Sequence, residues 1–393
     1  MRILYVALKY DYGKPEQGHS FEHYNFYHSL LHMGHDILYF DFMSLMQKHG
    51  RDWMNRRLLE VARAEKPELM LTVLFTDELD PVVVREISEN TDTVSLNWFC
   101  DDHWRLDSYS RHWAPCFNWV VTTAKGALPK YDLLGYRNVI KSQWACNHFL
   151  YRKSDLPLRY DVSFVGQPHG NRRQIIQALR DEGVNVHAWG TGWEFGRLAQ
   201  EEMISVFSQS RINLNLSNAS PPVPTPRFRA GDVARTWVSR TLAIVPFGSR
   251  IKTTGKRWLS TIGESLPVAK CPDFPEIGGS HRTDQIKGRN FEIPGCRGFL
   301  LTGRAEDLEN YYEIDKEVVC FDDADEIIEK VRYYLRNEDE RAAIAQAGYD
   351  RTLREHTYAH RFTEIFQRSR LPCKPLGEVL EGKVPPGQTE EVR

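Results

Sequence analysis

Short apolar runs alternate with amphipathic segments along most of the chain. In the first 150 residues, apolar runs occupy 3–8, 37–42, 69–75, 94–99, 119–124 and 139–143, and helical patterns lie near 20–33, 52–65 and 80–89. Strands that are apolar on both faces and alternate with helices are typical of a parallel sheet covered by helices. The pattern predicts a first α/β domain over residues 1–153.

The alternation restarts after the polar stretch RKSDLPLRY at 152–160. Apolar runs at 161–166, 184–189, 212–217 and 318–321 alternate with helical patterns over 171–182, 200–209, 323–336 and 338–355. We therefore expect two Rossmann-like domains that face a cleft, with the second spanning 154–357. An amphipathic helix at 358–370 is expected to follow and to pack back on the first domain.

Residues 218–286 interrupt this alternation. They begin with the proline-rich ASPPVPTPRFRAGD, and no strand is predicted until the stretch QIKGRNFEIPGCRGFLLT at 285–302. We interpret 218–286 as an insertion in the second domain, either a flap or a contact between copies in a homo-oligomer. The final segment, 371–393, is rich in charge, proline and glycine, and it is predicted to be a mobile tail.

Composition limits the classes of function. A chain of 393 residues is long enough for two domains, and 51 Lys and Arg against 53 Asp and Glu give a formal net charge of −2. No overall field therefore favours nucleic acid or an anionic membrane. No run approaches the roughly 20 apolar residues of a membrane span, and MRILYVALKY fits a first strand better than a signal peptide. The seven scattered cysteines form no CxxC pair, which indicates reduced thiols and a cytoplasmic location.

The stretch 285–302 has the residue order of an anion site. Lys287 and Arg289 enter a short predicted helix, whose first turn would add positive charge for a phosphate or diphosphate. Glu292 follows in the same helix, and its carboxylate can accept two hydroxyl donors, as a ribose presents them. Phosphate and ribose together indicate a nucleotide.

This stretch and the helical region that follows it resemble the nucleotide-binding half of group 1-type glycosyltransferases with the GT-B fold, specifically the CgeB-like branch. The resemblance is strong over 285–366 and moderate over 161–217. It implies that Glu292 holds the nucleotide ribose and that Lys287 and Arg289 face the diphosphate. One departure is Arg297, where the family usually has glycine or another small residue.

A second loop is expected to face the phosphates. The resemblance implies this role for FVGQPHGNRR at 164–173, which follows a predicted strand and opens a helix. Its candidate residues are Gly166, Arg172 and Arg173. A glycine in such a turn is as often purely structural.

Acids and histidines supply the catalytic candidates. In WFCDDHW, Asp101, Asp102 and His103 follow a predicted strand and can serve as a base for an acceptor hydroxyl or as polar stabilisers of an oxocarbenium ion. The alternative is an aspartate helix cap between packed tryptophans. His19 and Glu22, in the loop after the first strand, are expected to contact donor or acceptor.

Two patterns have metal-binding alternatives. His19, Glu22 and His23 match the letters H-x-x-E-H of inverted zinc peptidases, but no third ligand is evident. Asp323 and Asp325 match D-x-D, yet they open a strong helical pattern, so we interpret them as helix-capping residues. No metal is therefore expected.

The sequence predicts an enzyme that moves a sugar from a nucleotide-diphosphate sugar to a hydroxyl acceptor, with no metal or other cofactor. The sequence does not identify the acceptor, and the alternatives are a glycan, a lipid-linked glycan, a protein, a small molecule and a modified DNA base. The alternative is a nucleotide-sugar-binding or assembly protein that has kept the fold and lost turnover.

Overall fold

The computed structural model describes residues 1–217 and 285–393, which form two parallel β-sheets with helices on their faces. The strands are β1 (Arg2–Val6), β2 (Asp36–Phe40), β3 (Leu69–Thr72), β4 (Val94–Phe99), β5 (Trp119–Thr122), β6 (Val139–Lys141), β7 (Tyr160–Val165), β8 (Val186–Trp189), β9 (Ser210–Asn215), β10 (Leu300–Gly303), β11 (Val319–Phe321) and β12 (Thr389–Glu391). The prediction of two Rossmann-like α/β domains is confirmed.

Helices connect the strands. The α-helices are α1 (His28–His32), α2 (Phe42–His49), α3 (Arg51–Glu65), α4 (Pro81–Asn90), α5 (Asp102–Arg105), α6 (Arg111–Trp113), α7 (Leu128–Leu133), α8 (Arg172–Asp181), α9 (Gln200–Gln209), α10 (Arg289–Gly295), α11 (Ala324–Arg336), α12 (Glu338–Glu355), α13 (Tyr358–Arg368) and α14 (Leu376–Leu380). Two π-helical turns are His23–Tyr27 and Leu106–Ser110, and 3₁₀ turns are Asp11–Gly13, Pro15–Gln17, Ala114–Cys116, Lys125–Ala127 and Leu308–Asn310.

The first sheet has the order β12-β2-β1-β3-β4-β5-β6, and its paired strands are all parallel. Successive side chains of β1 point to opposite faces, so Leu4 and Val6 enter one core cluster while Ile3 and Tyr5 enter the other. Burial on both faces explains the continuous apolar runs in the sequence.

The second sheet has the order β11-β10-β9-β7-β8 and is also parallel. The strand order reverses between β7 and β9, which makes their carboxyl ends the switch point where ligands bind in such sheets. The chain between β9 and α10 contains the predicted insertion, which lies outside the described residues apart from Gln285 and Ile286.

Helix α13 returns the chain to the first domain. Phe362 and Phe366 on this helix lie in the same buried cluster as Phe26 and Trp98, and the Phe26 and Phe362 rings meet edge to face at 5.6 Å. The helix therefore ties the carboxyl end of the chain to the first sheet.

The helix after β11 begins with the capping arrangement expected from its sequence. The Asp323 carboxylate accepts hydrogen bonds from the backbone N–H groups of Asp325 and Glu326, at 3.0 and 2.9 Å. These bonds satisfy two of the free donors of α11, so capping accounts for the D-x-D letters.

The last residues lie along the edge of the first sheet. The backbone N–H of Ile37 donates to the Gln388 carbonyl at 2.7 Å, Arg2 pairs with Glu390 at 3.3 Å, and Lys9 pairs with Glu391. The sequence predicted a mobile tail here because residues 371–393 are rich in charge, proline and glycine. The strand β12 has no apolar side chain, so its pairing depends on backbone groups and exposed charges. The structure instead gives this segment a strand and the helix α14.

We expect deletion of residues 388–393 to leave the edge of β2 unprotected. The Ile37 amide should then exchange with solvent faster, and the variant should self-associate more, because unpaired edge strands pair with other chains. Hydrogen exchange and size-exclusion chromatography measure both effects. Unchanged exchange at Ile37 would show that β12 does not protect this edge.

Candidate functional site

The two domains enclose a cavity of about 350 Å³, which we call the interdomain cavity. The loop after β1 lines one wall, and the loops after β7 and β8, with Arg289, line the other. Its lining residues include Asp11, Gln17, Gly18, His19, Phe21, Tyr24 and Asn25 from the first domain and Gly166, Gln167, Gly190, Thr191, Arg197 and Arg289 from the second. The cavity therefore lies where an open α/β sheet binds ligands.

Two loops of the second domain approach closely beneath this cavity. Gly190 has φ of 136°, and a Cβ atom there would collide with the Gly166 carbonyl. That carbonyl accepts a hydrogen bond from the Trp193 indole at 2.8 Å. Only glycine fits at position 190. Gly166 and Gly190 both line the cavity, so their backbone is open to a ligand there.

Arg289 supplies positive charge to the interdomain cavity. Its guanidinium forms an ion pair with Glu292, one helical turn away, and lies over the Phe207 ring, 5.5 Å from the centroid. Burial lowers the pKa of Arg289, but the Glu292 carboxylate outweighs that effect and the net pKa is raised. Because α10 has seven residues, we assign the site's positive charge to this side chain and not to the helix end.

Glu292 is fully buried, and both of its carboxylate oxygens are engaged. It accepts hydrogen bonds from the Tyr151 hydroxyl at 2.7 Å and from the Asn25 amide at 3.3 Å, besides the pair with Arg289. Asn25 belongs to the first domain, so this carboxylate joins the two domains. In this arrangement Glu292 orients Arg289. The contact of Glu292 with a ribose stays a prediction.

The basic loop before α10 faces the WFCDDHW stretch across the cleft. The Gln285 amide lies 3.5 Å from the Asp101 carboxylate. Burial, followed by the Lys287 charge, lowers the pKa of His103 to about 4, so His103 is neutral at pH 7. Tertiary structure therefore brings together two segments that the sequence separates by more than 180 residues.

Asp102 lies apart from this junction. Its side chain is buried and accepts a hydrogen bond from the Tyr131 hydroxyl at 2.8 Å within the first domain. Burial raises the pKa of this carboxyl group. Its surroundings are those of a residue that positions the start of α5.

A second cavity, of about 300 Å³, lies at the carboxyl ends of β1, β3 and β4, and we call it the first-domain cavity. Its lining is Leu8, Asp11, Tyr12, Phe21, Glu22, Val73, Leu74, Phe75, Phe99, Cys100, Asp101, Trp104, Arg105, Tyr109 and Ser110. Asp11 and Phe21 line both cavities, which are therefore adjacent. Aromatic rings form much of this lining, and Asp11, Glu22, Asp101 and Arg105 provide the charge.

Glu22 is the acid best suited to proton transfer. Burial raises its pKa to about 7, and the charges of Asp11 and Asp101 add to this effect, although hydrogen bonds oppose it. A carboxylate with a pKa near the working pH is an efficient general base. Glu22 lines the first-domain cavity next to the boundary with the interdomain cavity.

His19 lines the interdomain cavity, and its ring stacks on that of His23 with centroids 4.1 Å apart. Burial, followed by the Lys9 charge, lowers the pKa of His19. In stacked imidazoles the nitrogen lone pairs lie in parallel planes and do not converge on one ion. Within residues 1–217 and 285–393, no cluster of three His, Cys, Asp or Glu side chains is placed to hold a metal.

The three candidate residues of the second predicted phosphate loop lie in different surroundings. Gly166 lines the interdomain cavity. Arg172 is buried and donates to the carbonyls of Gln167 at 2.9 Å and Leu216 at 2.6 Å, and burial lowers its pKa to about 10. Arg173 donates to the Gly192 carbonyl at 2.6 Å. Both arginines therefore brace loops beside the cavity.

Sequence reasoning missed one pair of cavity residues. Arg197 of the second domain and Asp11 of the first form an ion pair at 2.6 Å across the mouth of the interdomain cavity. Each lies in a polar loop without a recognisable motif, and the contact joins residues 186 positions apart. The sequence carried no signal for it.

Comparison with known proteins agrees with this geometry. A family model described as "Glycosyl transferase-like" matches residues 171–231 and 267–367. The spore protein CgeB of Bacillus subtilis (strain 168) is 23% identical over 243 residues, which are 61% of this chain and 64% of that protein. The aligned region is thus less than two thirds of the relative's length.

Solved structures share the fold at low sequence identity. HepE of Anabaena, in complex with UDP-glucose, aligns over 94% of this chain and 99% of its own, with 10% identity and a TM-score of 0.54. The sucrose-phosphate synthase of Thermosynechococcus elongatus aligns over 94% and 98%, with 8% identity and a TM-score of 0.53. The fold is therefore GT-B, two Rossmann-like domains around a cleft. The second domain is similar to the glycosyl transferase-like family, in agreement with the resemblance seen in its sequence.

In the part of the chain that the structure describes, no helix is long and apolar enough to cross a membrane.

Proposed function

We propose that this protein transfers a glycosyl group from a nucleotide-diphosphate sugar to a hydroxyl acceptor, without a metal ion. The observation that carries the proposal is the pair of adjacent cavities at the facing ends of two parallel sheets. One presents the cation Arg289, and the other presents Glu22, whose pKa is about 7. A donor and an acceptor need such neighbouring sites.

The donor occupies the interdomain cavity in this proposal. The Arg289 guanidinium, held by Glu292, binds the diphosphate and stabilises the charge that develops on it as the glycosyl bond breaks. Exposed backbone at Gly166 and Gly190 lets the phosphates approach closely. Lys287 contributes further positive charge at the junction with Asp101 and His103.

The acceptor occupies the first-domain cavity. Its aromatic walls suit a sugar ring or another partly apolar group, since such faces pack against rings. Glu22 receives the proton of the attacking hydroxyl in an inverting reaction, or polarises the reacting face in a retaining one. His19, at the edge of the donor cavity, positions the reacting groups.

Calorimetry with UDP-, GDP-, ADP-, CMP- and dTDP-sugars tests the proposal on the full chain. UDP-glucose is the first probe, because HepE binds it on the same fold. We expect one donor class to bind and to be consumed slowly by water or by an added acceptor. Failure of every sugar nucleotide to bind would overturn the proposal. Binding without turnover, in the presence of varied acceptors, would favour the binding-protein alternative.

Replacing Arg197 with glutamine is expected to raise the KM for the donor by about three- to tenfold, with kcat nearly unchanged. The ion pair with Asp11 helps hold the domains together over the cavity, but its side chains are 38% and 26% exposed, so stability should change by less than about 1 kcal/mol. Steady-state kinetics and thermal denaturation measure these effects.

A matched control is Arg180→Gln, which breaks the exposed pair with Glu194 inside the second domain. This variant should keep the wild-type KM. An equal rise in both variants would argue against a role for the contact between domains.

A further inference from the structure

A third cavity, of about 270 Å³, lies at the end of the second sheet opposite the interdomain cavity, and we call it the rear cavity. Ser210 at the start of β9 and Phe299 just before β10 line it, so it opens at the amino ends of these strands. Leu158, Ala342 and Ala345 add an apolar portion. No step of the proposed transfer uses this site.

Cations dominate the charged lining of the rear cavity. The basic residues are Lys153, Arg211, Arg297 and Arg341, and the acidic one is Glu338. Two carboxylates outside the lining partly neutralise them: Asp155 lies 2.8 Å from Lys153, and Asp161 lies 3.7 Å from Arg211. Four cations and three carboxylates leave an excess of one positive charge, and among the described residues none of the three arginines has a carboxylate within 3.5 Å.

Arg341 is buried beside another cation. Only 4% of this residue is exposed; its guanidinium donates to the Tyr334 carbonyl, and Glu338 is 3.8 Å away. Burial lowers the pKa of Arg341, the Glu338 carboxylate opposes this effect, and the Arg211 charge adds to it. The carboxylates nearest to Arg211 and Arg341 lie 3.7 and 3.8 Å away, beyond hydrogen-bond distance, so both guanidinium groups can contact a further anion in the cavity.

Arg297 is held in a conformation that favours glycine. Its φ is 60°, in a helix-ending motif where its N–H bonds the Pro294 carbonyl at 2.7 Å and the Gly298 N–H bonds the Ile293 carbonyl at 3.0 Å. Among the described residues no hydrogen bond or ion pair holds its side chain, although the Asp155 charge is near enough to interact with it. A strained arginine that no hydrogen bond holds, in a cavity wall, is a sign of a function that offsets the strain.

We propose that the rear cavity binds a phosphoryl group, either as free phosphate or carried by a small molecule. Arg211, Arg297 and Arg341 surround the anion, and guanidinium groups match the geometry of phosphate oxygens. The apolar portion leaves space for the body of a small phosphorylated compound. The site is separate from the donor site, at the other end of the same sheet.

Calorimetric titration of the full chain with inorganic phosphate, at matched ionic strength in a chloride buffer, tests this assignment. We expect a Kd on the order of 1 mM for the wild type. Arg297→Gly should bind at least about tenfold more weakly, because a charge-assisted contact is lost. The same variant should melt a few degrees higher without phosphate, since glycine adopts positive φ without strain.

Arg370→Gly is the matched control. Arg370 also has positive φ, at 58°, and ends α13 with the same two backbone hydrogen bonds, but it does not line the rear cavity. This variant should melt higher as well and bind phosphate as the wild type does. The control thus separates relief of strain from loss of the anion site.

Equal phosphate affinity in the wild type and Arg297→Gly would overturn the proposal. The measured binding would then come from another cationic site, such as Arg289 in the interdomain cavity. Arg211→Gln is a second test of the site and should also weaken phosphate binding at least about fivefold. A parallel titration with glucose 1-phosphate identifies the ligand's form. Tighter binding than phosphate indicates a phosphorylated small molecule, and equal binding indicates free phosphate.

Discussion

Glu22→Gln is expected to reduce glycosyl transfer by about 10²- to 10⁴-fold while donor affinity changes less than about twofold. Glutamine keeps the shape of the side chain but cannot accept the acceptor's proton. In the wild type, kcat/KM should fall as the pH drops through about 7, because protonation of Glu22 removes the base. This limb of the pH profile should disappear in the variant.

Stability supplies an independent readout for the same substitution. The pKa of Glu22 is about 7 in the folded protein and near 4.5 when unfolded, so its ionisation costs stability as the pH rises through this interval. Glu22→Gln should therefore be more stable than the wild type at pH 8, by at most about 3 kcal/mol. At pH 4 the two should be nearly equal.

Glu16→Gln is the control for this experiment, since Glu16 lies exposed in the same loop. It should leave transfer and its pH profile unchanged. Full activity of Glu22→Gln, or an unaltered acidic limb of its pH profile, would show that Glu22 is not the base. Asp101 and His19 would then be the remaining candidates.

Arg289→Met is expected to weaken donor binding by at least about 30-fold, because it removes a charge-assisted contact with the diphosphate. It should also destabilise the protein by about 3–5 kcal/mol, since the fully buried Glu292 loses its cationic partner. Calorimetry measures the affinity, and urea unfolding measures the stability.

The double variant Arg289→Met with Glu292→Gln separates the two effects. Glutamine removes the uncompensated charge and can still accept the Tyr151 hydroxyl, so most of the stability should return while donor binding stays weak. Arg304→Met, which loses an exposed pair with Asp322, serves as a surface control. Restored binding in the double variant would contradict a direct role for Arg289.

Particular elements show how far the sequence determined the fold. β1 and β4 are buried on both faces, and such strands carry an apolar pattern that is local and easy to recognise. The cap at Asp323 is equally local, because donor and acceptor lie within three residues. β12 was not predicted, because its pairing with β2 depends on backbone groups and ion pairs from distant parts of the chain.

The candidate site divides in the same way. Arg289 and Gly166 were selected from local motifs, and the structure places both at the interdomain cavity. Arg172 and Asp102 were selected for their chemistry. Tertiary packing instead buries Arg172 against the Gln167 carbonyl and Asp102 against the Tyr131 hydroxyl. Local sequence specifies the kind of side chain but not the direction in which the fold points it.

The sequence by itself determined the two α/β domains, the resemblance to glycosyltransferases and the basic loop before α10, because each depends on residues close together in the chain. Only the tertiary structure decided that Glu292 orients Arg289, that Asp11 meets Arg197, and that Glu22 is buried enough to raise its pKa. Those properties arise from contacts between distant segments and from exclusion of water. A linear pattern encodes neither of them directly.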